Sequence, residues 1–394
     1  MDYRASLKIP MSSPDLTDAE RAAVMAVLNT PNLSMGPQIT AFENAFRGYT
    51  GWKHALAVNS GTAALHLCVH AAGIGAGDRV ITTPFSFVAS TNALLFEQAV
   101  PVFVDVDPLT GNIDPALVQQ AAADLNTGGS AAARWLPRRG AGQNGMLKAL
   151  LAVDVFGQPA DYDRLRQTTH QFNLKLIEDS CESLGARYKD RLAGTLGDYG
   201  TFAFYPNKQI TTGEGGIIVT DDDQAAHLMS ALRNQGRAPG DTWLDHTYLG
   251  YNYRLDELSC ALGAVQMSRL EELLAAREQV AQWYQERLAS IAGVEIPHLV
   301  PETTRVSWFV YVIRTAPEIN RAALADRLGK MGIPVRPYFS PIHLQPYMRE
   351  RFGYQPGDFP ITEDLGARGL ALPFSGKMTL EMVDTVCAAL KAAL

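Results

Sequence analysis

Short apolar runs that alternate with helical patterns over residues 55–220 are the feature that most constrains the fold. The runs are apolar on both faces, which is typical of strands buried in a parallel sheet. Most of the helical patterns begin at a Ser, Asp or Gly that can satisfy free backbone N–H groups. The predicted strands are Ala55–Val58, Arg79–Thr83, Val102–Val106, Leu150–Val155, Lys175–Glu178, Thr201–Phe204 and Gly216–Thr220. This order predicts an α/β fold with a mainly parallel sheet, whose ligands bind at the carboxyl ends of the strands.

The alternation of strands and helices is interrupted near residues 121–148 and again after Leu255. The first stretch is rich in Gly, Ala, Arg and Asn without clear periodicity, so we expect an irregular surface insertion there. After Leu255 a long helical pattern leads into a smaller α/β unit. Its predicted elements are a strand at Trp308–Ile313 and helices at Arg321–Met331 and from Leu380. The predicted domains are a large one over residues 1–254 and a long helix with a small domain over residues 255–394.

Charge and composition exclude several classes of protein. The chain has 394 residues, of which 47% are hydrophobic and 19% charged, which is too little charge for a disordered chain. A net charge of −7 gives no overall positive field to hold nucleic acid. The first ten residues carry charges without a following apolar core, and no window approaches the roughly 20 apolar residues of a membrane span. We therefore expect a cytoplasmic protein that binds neither nucleic acid nor membranes.

Metal sites and nicotinamide sites find no support in the sequence. The four cysteines are far apart and form no CxxC pair. His66 and His70 share one helical face, but no HExxH motif or neighbouring carboxylate completes a site, so no metal is expected. No GxGxxG motif follows the first strand, which argues against a nicotinamide-dependent dehydrogenase.

Three segments place chemically useful groups at the ends of predicted strands. Ser60, Gly61 and Thr62 connect a strand to a helix, and the free N–H groups at a helix start can bind an anion. An ordinary helix cap explains this segment equally well. Asp179 and Lys208 each follow an apolar strand, and each taken alone is more simply a solvated charge.

Taken together, these groups suit pyridoxal phosphate (PLP). The aldehyde of this cofactor needs a lysine, its pyridine nitrogen needs an acid, and its phosphate needs a nest of donors. Phe87 follows another predicted strand end, where its ring can stack on the cofactor, although core packing explains Phe87 as well. The convergence of a lysine, an acid and an anion site on one sheet edge predicts a PLP site.

An ordered set of motifs along the chain supports this interpretation. The segments are Met35–Pro37 with Phe42–Glu43, Asn59–Leu65, Pro84–Ser90, Phe156–Asp161, Ile177–Ala186, Phe204–Gly216, Leu232–Asn234, Gly250–Arg254 and Val335–His343. In these segments the chain resembles the DegT/DnrJ/EryC1/StrS aminotransferases, the sugar-nucleotide branch of the fold type I PLP enzymes. The resemblance covers nearly the whole chain. It implies the architecture of aspartate aminotransferase, with a large cofactor domain and a smaller C-terminal α/β domain.

The resemblance implies a role for each cofactor residue. Lys208 bonds to the cofactor and later moves the proton, Asp179 pairs with the pyridinium nitrogen, and Phe87 stacks on the ring. Glu182 lies where the family places a polar group near the phenolic oxygen. The phosphate is held by Ser60, Gly61 and Thr62.

The family also implies a homodimer with shared active sites. Asn252 and Arg254 then reach the phosphate of the partner subunit. Residues expected near the substrate are Arg233, Arg336 and His343. A nucleotide sugar is an anion and the protein is acidic, so its attraction to the protein must be local. The arginines expected to supply it are Arg233, Arg237, Arg254 and Arg336.

Two positions depart from the family pattern. Many members have a serine five residues before the lysine, where this chain has Ala203, so one phosphate donor is missing. At position 182 many relatives have glutamine or histidine, and a glutamate beside a phenolate is repelled unless it is protonated or turned away. Some sugar 4-aminotransferases of the family also have an acid there, which favours amination at C4.

The leading hypothesis is a PLP-dependent aminotransferase that moves an amino group from L-glutamate to C4 or C3 of a nucleotide-linked keto-deoxysugar. A sugar dehydratase on the same fold is an alternative, but such members have histidine in place of the lysine, and Lys208 is intact. A non-catalytic regulator is a second alternative, against which the intact Lys208 and Asp179 both count.

Overall fold

The computed structural model describes residues 9–142 and 145–394. The helices in these ranges are α1 (Asp18–Leu28), α2 (Pro37–Thr50), α3 (Gly61–Ala71), α4 (Ala89–Phe96), α5 (Pro115–Thr127), α6 (Gly129–Ala133), α7 (Tyr162–Phe172), α8 (Asp223–Arg233), α9 (Glu257–Ser268), α10 (Leu270–Leu288), α11 (Arg321–Lys330), α12 (Pro346–Phe352), α13 (Pro360–Arg368) and α14 (Leu380–Ala393). The strands are β1 (His54–Val58), β2 (Arg79–Thr82), β3 (Val100–Phe103), β4 (Leu147–Val153), β5 (Lys175–Asp179), β6 (Arg187–Tyr188), β7 (Arg191–Leu192), β8 (Tyr199–Ala203), β9 (Gly216–Thr220), β10 (Val294–Glu295), β11 (Thr303–Arg305), β12 (Tyr311–Thr315), β13 (Arg336–Pro337) and β14 (Gly369–Leu372). Val155–Gly157 and Ile342–Leu344 form short 3-10 helices.

The main sheet has the strand order β1-β9-β8-β5-β4-β2-β3. β9 pairs antiparallel with β1 and β8, and the remaining neighbours pair in parallel. Because helices cover both faces, the strand residues are almost all buried, as the apolar runs predict. The predicted α/β fold with a mainly parallel sheet is confirmed.

Side-chain caps explain where several helices begin. The Ser60 hydroxyl accepts from the backbone N–H of Ala63 at the start of α3, and Asp222 caps α8 in the same way. Thr17 and Glu20 form a reciprocal capping box on α1. These caps satisfy N–H groups that the helices leave free, so the sequence signals for helix starts are local and reliable.

A second sheet, in the order β10-β12-β14-β13, lies in the C-terminal part of the chain and is antiparallel throughout its pairs. The predicted strand Trp308–Ile313 begins later than expected, at Tyr311. The predicted long helix is two helices, α9 and α10, which meet at Arg269.

The predicted domain boundary between residues 254 and 255 is not the point at which the chain passes from one hydrophobic core cluster to another. Cys260 and Leu274 pack in one cluster with Phe42 and Phe202, beside the main sheet. Val280 packs in another cluster, with the second sheet. The change of core therefore falls within α10.

The irregular insertion expected near residues 121–148 is partly helical, which corrects the prediction. α5 continues to Thr127 and α6 follows it, and Ala121, Ala122 and Leu125 are buried. Small alanines produce a weak periodic signal, which hid this helical face. Beyond α6, Arg138 forms an ion pair with Asp358. Residues 143 and 144 lie outside the described residues.

None of the helices within the described ranges has the length and apolar character needed to cross a membrane.

Candidate active site

A cavity of about 510 Å³ opens at the carboxyl ends of β5 and β8. Cavities of this size accommodate small-molecule ligands. The residues from the sequence analysis that line it are Ser60, Gly61, Thr62, Phe87, Asp179, Glu182 and Lys208. The structure therefore brings together side chains that are up to 148 positions apart (208 − 60 = 148).

The start of α3 forms one wall of the cavity. A Cβ atom added to Gly61 would lie 2.7 Å from the Cβ of Ala203 and 3.1 Å from Cys181 Sγ. Only glycine allows the helix start to approach β8 this closely. Ser60, Gly61 and Thr62 line the cavity at this helix start, and the free N–H groups of a helix start suit an anion.

Gly61→Ala should lower the free energy of unfolding by about 1–3 kcal/mol, because the added methyl group overlaps Ala203. Gly48→Ala in α2 is the matched control, since nothing lies within 4 Å of its added Cβ. That substitution should raise stability by about 0.5–1 kcal/mol. Urea unfolding of both variants measures the difference, and equal effects at the two glycines would contradict the close approach.

Asp179 ends β5 and is buried at the floor of the cavity. Its Oδ2 accepts a hydrogen bond of 2.6 Å from the Ser90 hydroxyl, and its Oδ1 accepts from the backbone N–H of Cys181 at 3.3 Å. These donors fix the orientation of the carboxylate. Asp179 thus presents its carboxyl group where the sequence predicts the partner of a pyridinium nitrogen.

Lys208 lies five residues beyond the end of β8, and its side chain is only 12% exposed. Its Nζ lies 3.8 Å from the centroid of the Phe309 ring and 3.9 Å from Glu182 Oε1. An aromatic face stabilises the ammonium form, and a deprotonated amine in the same place is a nucleophile. Lys208 therefore projects its amine into the cavity.

Glu182 is buried beside Lys208. Burial raises the pKa of Glu182 to about 7, although the Lys208 ammonium and the backbone N–H of Phe156 act in the opposite direction. That N–H donates to Glu182 Oε2 at 2.9 Å. The carboxyl is therefore partly protonated near neutral pH, and a protonated carboxyl is not repelled by a phenolate.

The raised pKa of Glu182 predicts how the free energy of unfolding depends on pH. The folded protein keeps a proton on Glu182 that the unfolded chain releases, so this group loses stabilisation as pH rises from about 4.5 to about 7. Glu182→Gln removes the titration and should gain up to about 3 kcal/mol over wild type through that window, then level off. Urea unfolding of the cofactor-free proteins measures this difference, and a difference independent of pH would contradict it.

A buried carboxylate supports the turn that carries Asp179 and Glu182. Asp154 Oδ2 accepts from the hydroxyls of Ser180 at 2.7 Å and Ser183 at 2.6 Å. Asp154 is fully buried, so these bonds are shielded from water. The turn between the two acids is thereby held to the end of β4.

Phe87 remains 63% exposed and lines the mouth of the cavity. Asn252 and Arg254 do not line it. They lie beside the end of β1, where Arg254 pairs with Val58 as an isolated bridge and donates to Asn234 Oδ1 at 3.0 Å. The roles assigned to these residues remain predictions.

Arg233 does not line the cavity, which disagrees with its predicted substrate contact. It is 6% exposed, forms an ion pair with Glu43, and donates to the carbonyl oxygen of Ala57 at 2.8 Å. A guanidinium engaged in this way joins α8 to α2 and β1. It is not available to bind a ligand.

The structure also disagrees with the predicted substrate contact of His343, because this side chain is buried too. Its side chain is fully buried, and Nε2 lies 3.0 Å from Glu363 Oε1. Burial lowers its pKa, and the Phe359 ring packs against it with centroids 4.8 Å apart. His343 therefore holds α13 to the 3-10 helix Ile342–Leu344. Arg336 is exposed on β13, and its predicted substrate contact remains a prediction.

Comparison with known proteins places the site in a family. The model of the DegT/DnrJ/EryC1/StrS aminotransferase family matches residues 14–391. The chain belongs to this aminotransferase family. The resemblance found in the sequence is thereby confirmed.

Relatives within the DegT/DnrJ/EryC1/StrS family align over nearly their whole lengths. The GDP-perosamine synthase of Caulobacter vibrioides is 37% identical over 391 residues, which is 98% of each chain. The crystal structure of DesV from S. venezuelae is 29% identical, covers 98% of both chains and has a TM-score of 0.85. The PLP-form of the putative sugar aminotransferase Spr1654 from Streptococcus pneumoniae is 25% identical, covers 98% of both chains and has a TM-score of 0.86. The fold type I architecture is thereby confirmed.

Sequence reasoning missed several residues of this aminotransferase site. Ser90 lies in a matched motif, but no local pattern shows that its hydroxyl reaches Asp179. Phe309 and Tyr338 enter the cavity from the C-terminal part of the chain, more than 100 positions beyond Lys208. Their aromatic character is equally typical of core residues, so the sequence carries no signal for their position.

Proposed function

We propose that this protein is a PLP-dependent aminotransferase that moves an amino group from L-glutamate to C4 or C3 of a nucleotide-linked keto-deoxysugar. One observation carries the proposal. The amine of Lys208, the carboxylate of Asp179 and the helix start at Ser60–Thr62 line the same cavity. These are the groups that recognise the aldehyde, the ring nitrogen and the phosphate of PLP.

The residues present fit this cofactor. The start of α3 is bare of side chain at Gly61, which leaves its N–H groups accessible to a phosphate. Ala203 lies against Gly61 and supplies no hydroxyl, so Ser60 and Thr62 provide the side-chain donors on this wall. When bound, PLP would supply an electron-accepting ring. This ring would stabilise negative charge on the carbon atom of the donor or acceptor that loses or gains the amino group.

The chain's own residues control the proton. Lys208 Nζ is the group in the cavity that can carry it, and Glu182 Oε1 lies 3.9 Å away, too far for direct transfer but close enough to influence the amine electrostatically. The Phe309 ring packs against Lys208, with its centroid 3.8 Å from Nζ. Asp179, oriented by the Ser90 hydroxyl, presents its carboxylate to the same cavity as the lysine.

The homodimer is part of the proposal. Trp243, Leu244 and Leu249 are 77%, 81% and 93% exposed, just before the segment that carries Asn252 and Arg254. Exposed apolar side chains of this kind mark interaction surfaces. We infer that a second copy of the chain docks on this segment, and sedimentation velocity of the purified protein tests the dimer.

The substrate class rests on the relatives and on local charge. Two relatives in Caulobacter vibrioides and Escherichia coli O157:H7 are GDP-perosamine synthases, at 37% and 32% identity. Arg336 is exposed near Tyr338 at the cavity, where it can bind a diphosphate. A cytoplasmic location, where nucleotide sugars and L-glutamate occur, remains a prediction.

A screen of keto-sugar nucleotides with L-glutamate tests the function. The expected result is one molecule of 2-oxoglutarate for each aminated sugar nucleotide, read by mass spectrometry. Wild-type protein that fails to bind PLP would overturn the proposal. So would a sugar product that has lost oxygen without gaining nitrogen, because that is the product of a dehydratase.

A further inference from the structure

Arg277 is a buried cation bound by backbone carbonyls. It lies on α10 and is 4% exposed. One terminal nitrogen donates to the carbonyl oxygens of Trp308 at 3.3 Å and Phe309 at 3.2 Å. The other donates to those of Asn207, at 3.1 Å, and Lys208. Among the residues that the structure describes, no carboxylate forms an ion pair with it.

The two segments that Arg277 joins meet at the reactive amine. Lys208 supplies the amine, and the Phe309 ring lies 3.8 Å from its Nζ. One guanidinium therefore fixes both the backbone from which the lysine projects and the backbone that carries the ring beneath it. A shift of either segment would move Nζ relative to Asp179 and Glu182.

Gln209 makes a second link between the same segments. Its Nε2 donates to the Ser307 hydroxyl at 2.8 Å and to the carbonyl oxygen of Glu182 at 2.6 Å. Gln209 thus anchors the residue after Lys208, while Arg277 anchors Lys208 itself. The junction is held at consecutive positions on both segments.

The energetics set Arg277 apart from an ordinary core residue. Burial of a cation without a counter-charge is costly, and burial lowers the pKa of Arg277 to about 10. The group still remains charged at neutral pH. Its planar fork of five donors can serve four carbonyl oxygens at once, which neither methionine nor the three donors of lysine can match.

We propose that Arg277 is a positioning residue for Lys208, holding the lysine backbone and Phe309 in the register that transamination requires. The proposal rests on the proposed function, in which Lys208 is the reacting amine. Arg277 touches neither the amine nor the cavity, so it acts through the two segments that it binds.

The test compares Arg277→Met and Arg277→Lys with Arg314→Met. Arg314 is the matched control because its guanidinium also binds backbone carbonyls, those of Pro108 and Leu109, away from Lys208. Three quantities are measured: the melting temperature, kcat and KM for L-glutamate, and the acylation rate of Lys208 in cofactor-free protein. Lys175, a partly exposed lysine, is the internal reference for acylation by acetic anhydride.

Arg277→Met should lower kcat about a hundredfold with little change in KM, because the reacting groups lose their alignment. Its Lys208 should be acylated faster relative to Lys175, and Arg277→Lys should recover part of both properties. Arg314→Met should lower the melting temperature alone. If Arg277→Met does not fold, the same comparison is made with Arg277→Lys.

Two outcomes separate the hypotheses. If wild type binds PLP and transaminates but the Arg277 variants keep its kcat and acylation rate, positioning by Arg277 is wrong and the proposed function stands. If wild type itself does not bind PLP, the proposed function is wrong. A faster acylation of Lys208 in the Arg277 variants would then still show that Arg277 orders this lysine.

Discussion

Replacing Lys208 with alanine should abolish transamination and the visible absorbance that wild-type protein acquires with PLP. The amine is the group in the cavity that can bond to an aldehyde and then carry a proton, so its loss removes both functions. We expect kcat to fall at least about 10⁴-fold. Absorbance spectra and mass spectrometry after borohydride reduction measure covalent attachment, and the glutamate-dependent assay measures turnover.

Lys175→Ala is the control for the loss of a lysine. Lys175 begins β5, at the opposite end of the strand from Asp179, and pairs with Asp198. That variant should keep wild-type absorbance and turnover. A reduced adduct on a lysine other than Lys208 would show that the reacting amine has been misassigned.

Asp179→Asn should lower kcat by about 10³-fold while PLP still attaches to Lys208. The asparagine has the same shape and can accept from Ser90, but it lacks the negative charge that keeps a ring nitrogen protonated. The electron-accepting capacity of the cofactor is then lost without loss of its binding site. Single-turnover kinetics with L-glutamate measure this step, and the covalent attachment is checked by borohydride reduction.

Ser90→Ala is the milder variant with which Asp179→Asn is compared. It removes the 2.6 Å hydrogen bond but keeps the charge, so its effect should be much smaller than that of Asp179→Asn. If Asp179→Asn retained wild-type kcat, Asp179 would not be the partner of the ring nitrogen.

Local sequence patterns predicted the parts of the fold that depend on neighbouring residues. β1 and β9 lie within one residue of their predicted bounds, and α3, α5, α7 and α8 each follow a Ser or Asp cap, the residue types from which helix starts are predicted. Strand burial and helix capping act over a few residues, so the pattern of apolar and capping side chains determines them. The helix in residues 121–127 escaped detection because alanine contributes little to periodicity.

Two residues show that a family motif alone does not identify a ligand-binding side chain. Arg233 and His343 both lie in segments shared with the family, and both are buried against acidic partners. Glu43 lies 190 positions from Arg233 in the sequence. No pattern around an arginine reveals a partner at that distance, so a structural ion pair and a ligand-binding charge look alike.

The sequence by itself determined the mainly parallel α/β sheet, the family, and the convergence of Ser60, Asp179 and Lys208 on one sheet edge. Parallel strands end at the same edge of a sheet, so residues that directly follow such strands in the sequence come together there. The tertiary structure alone decided what surrounds those groups. Phe309 beneath Lys208, Ser90 on Asp179 and Arg277 beneath the junction all depend on contacts between segments far apart in sequence, which packing of the whole chain creates.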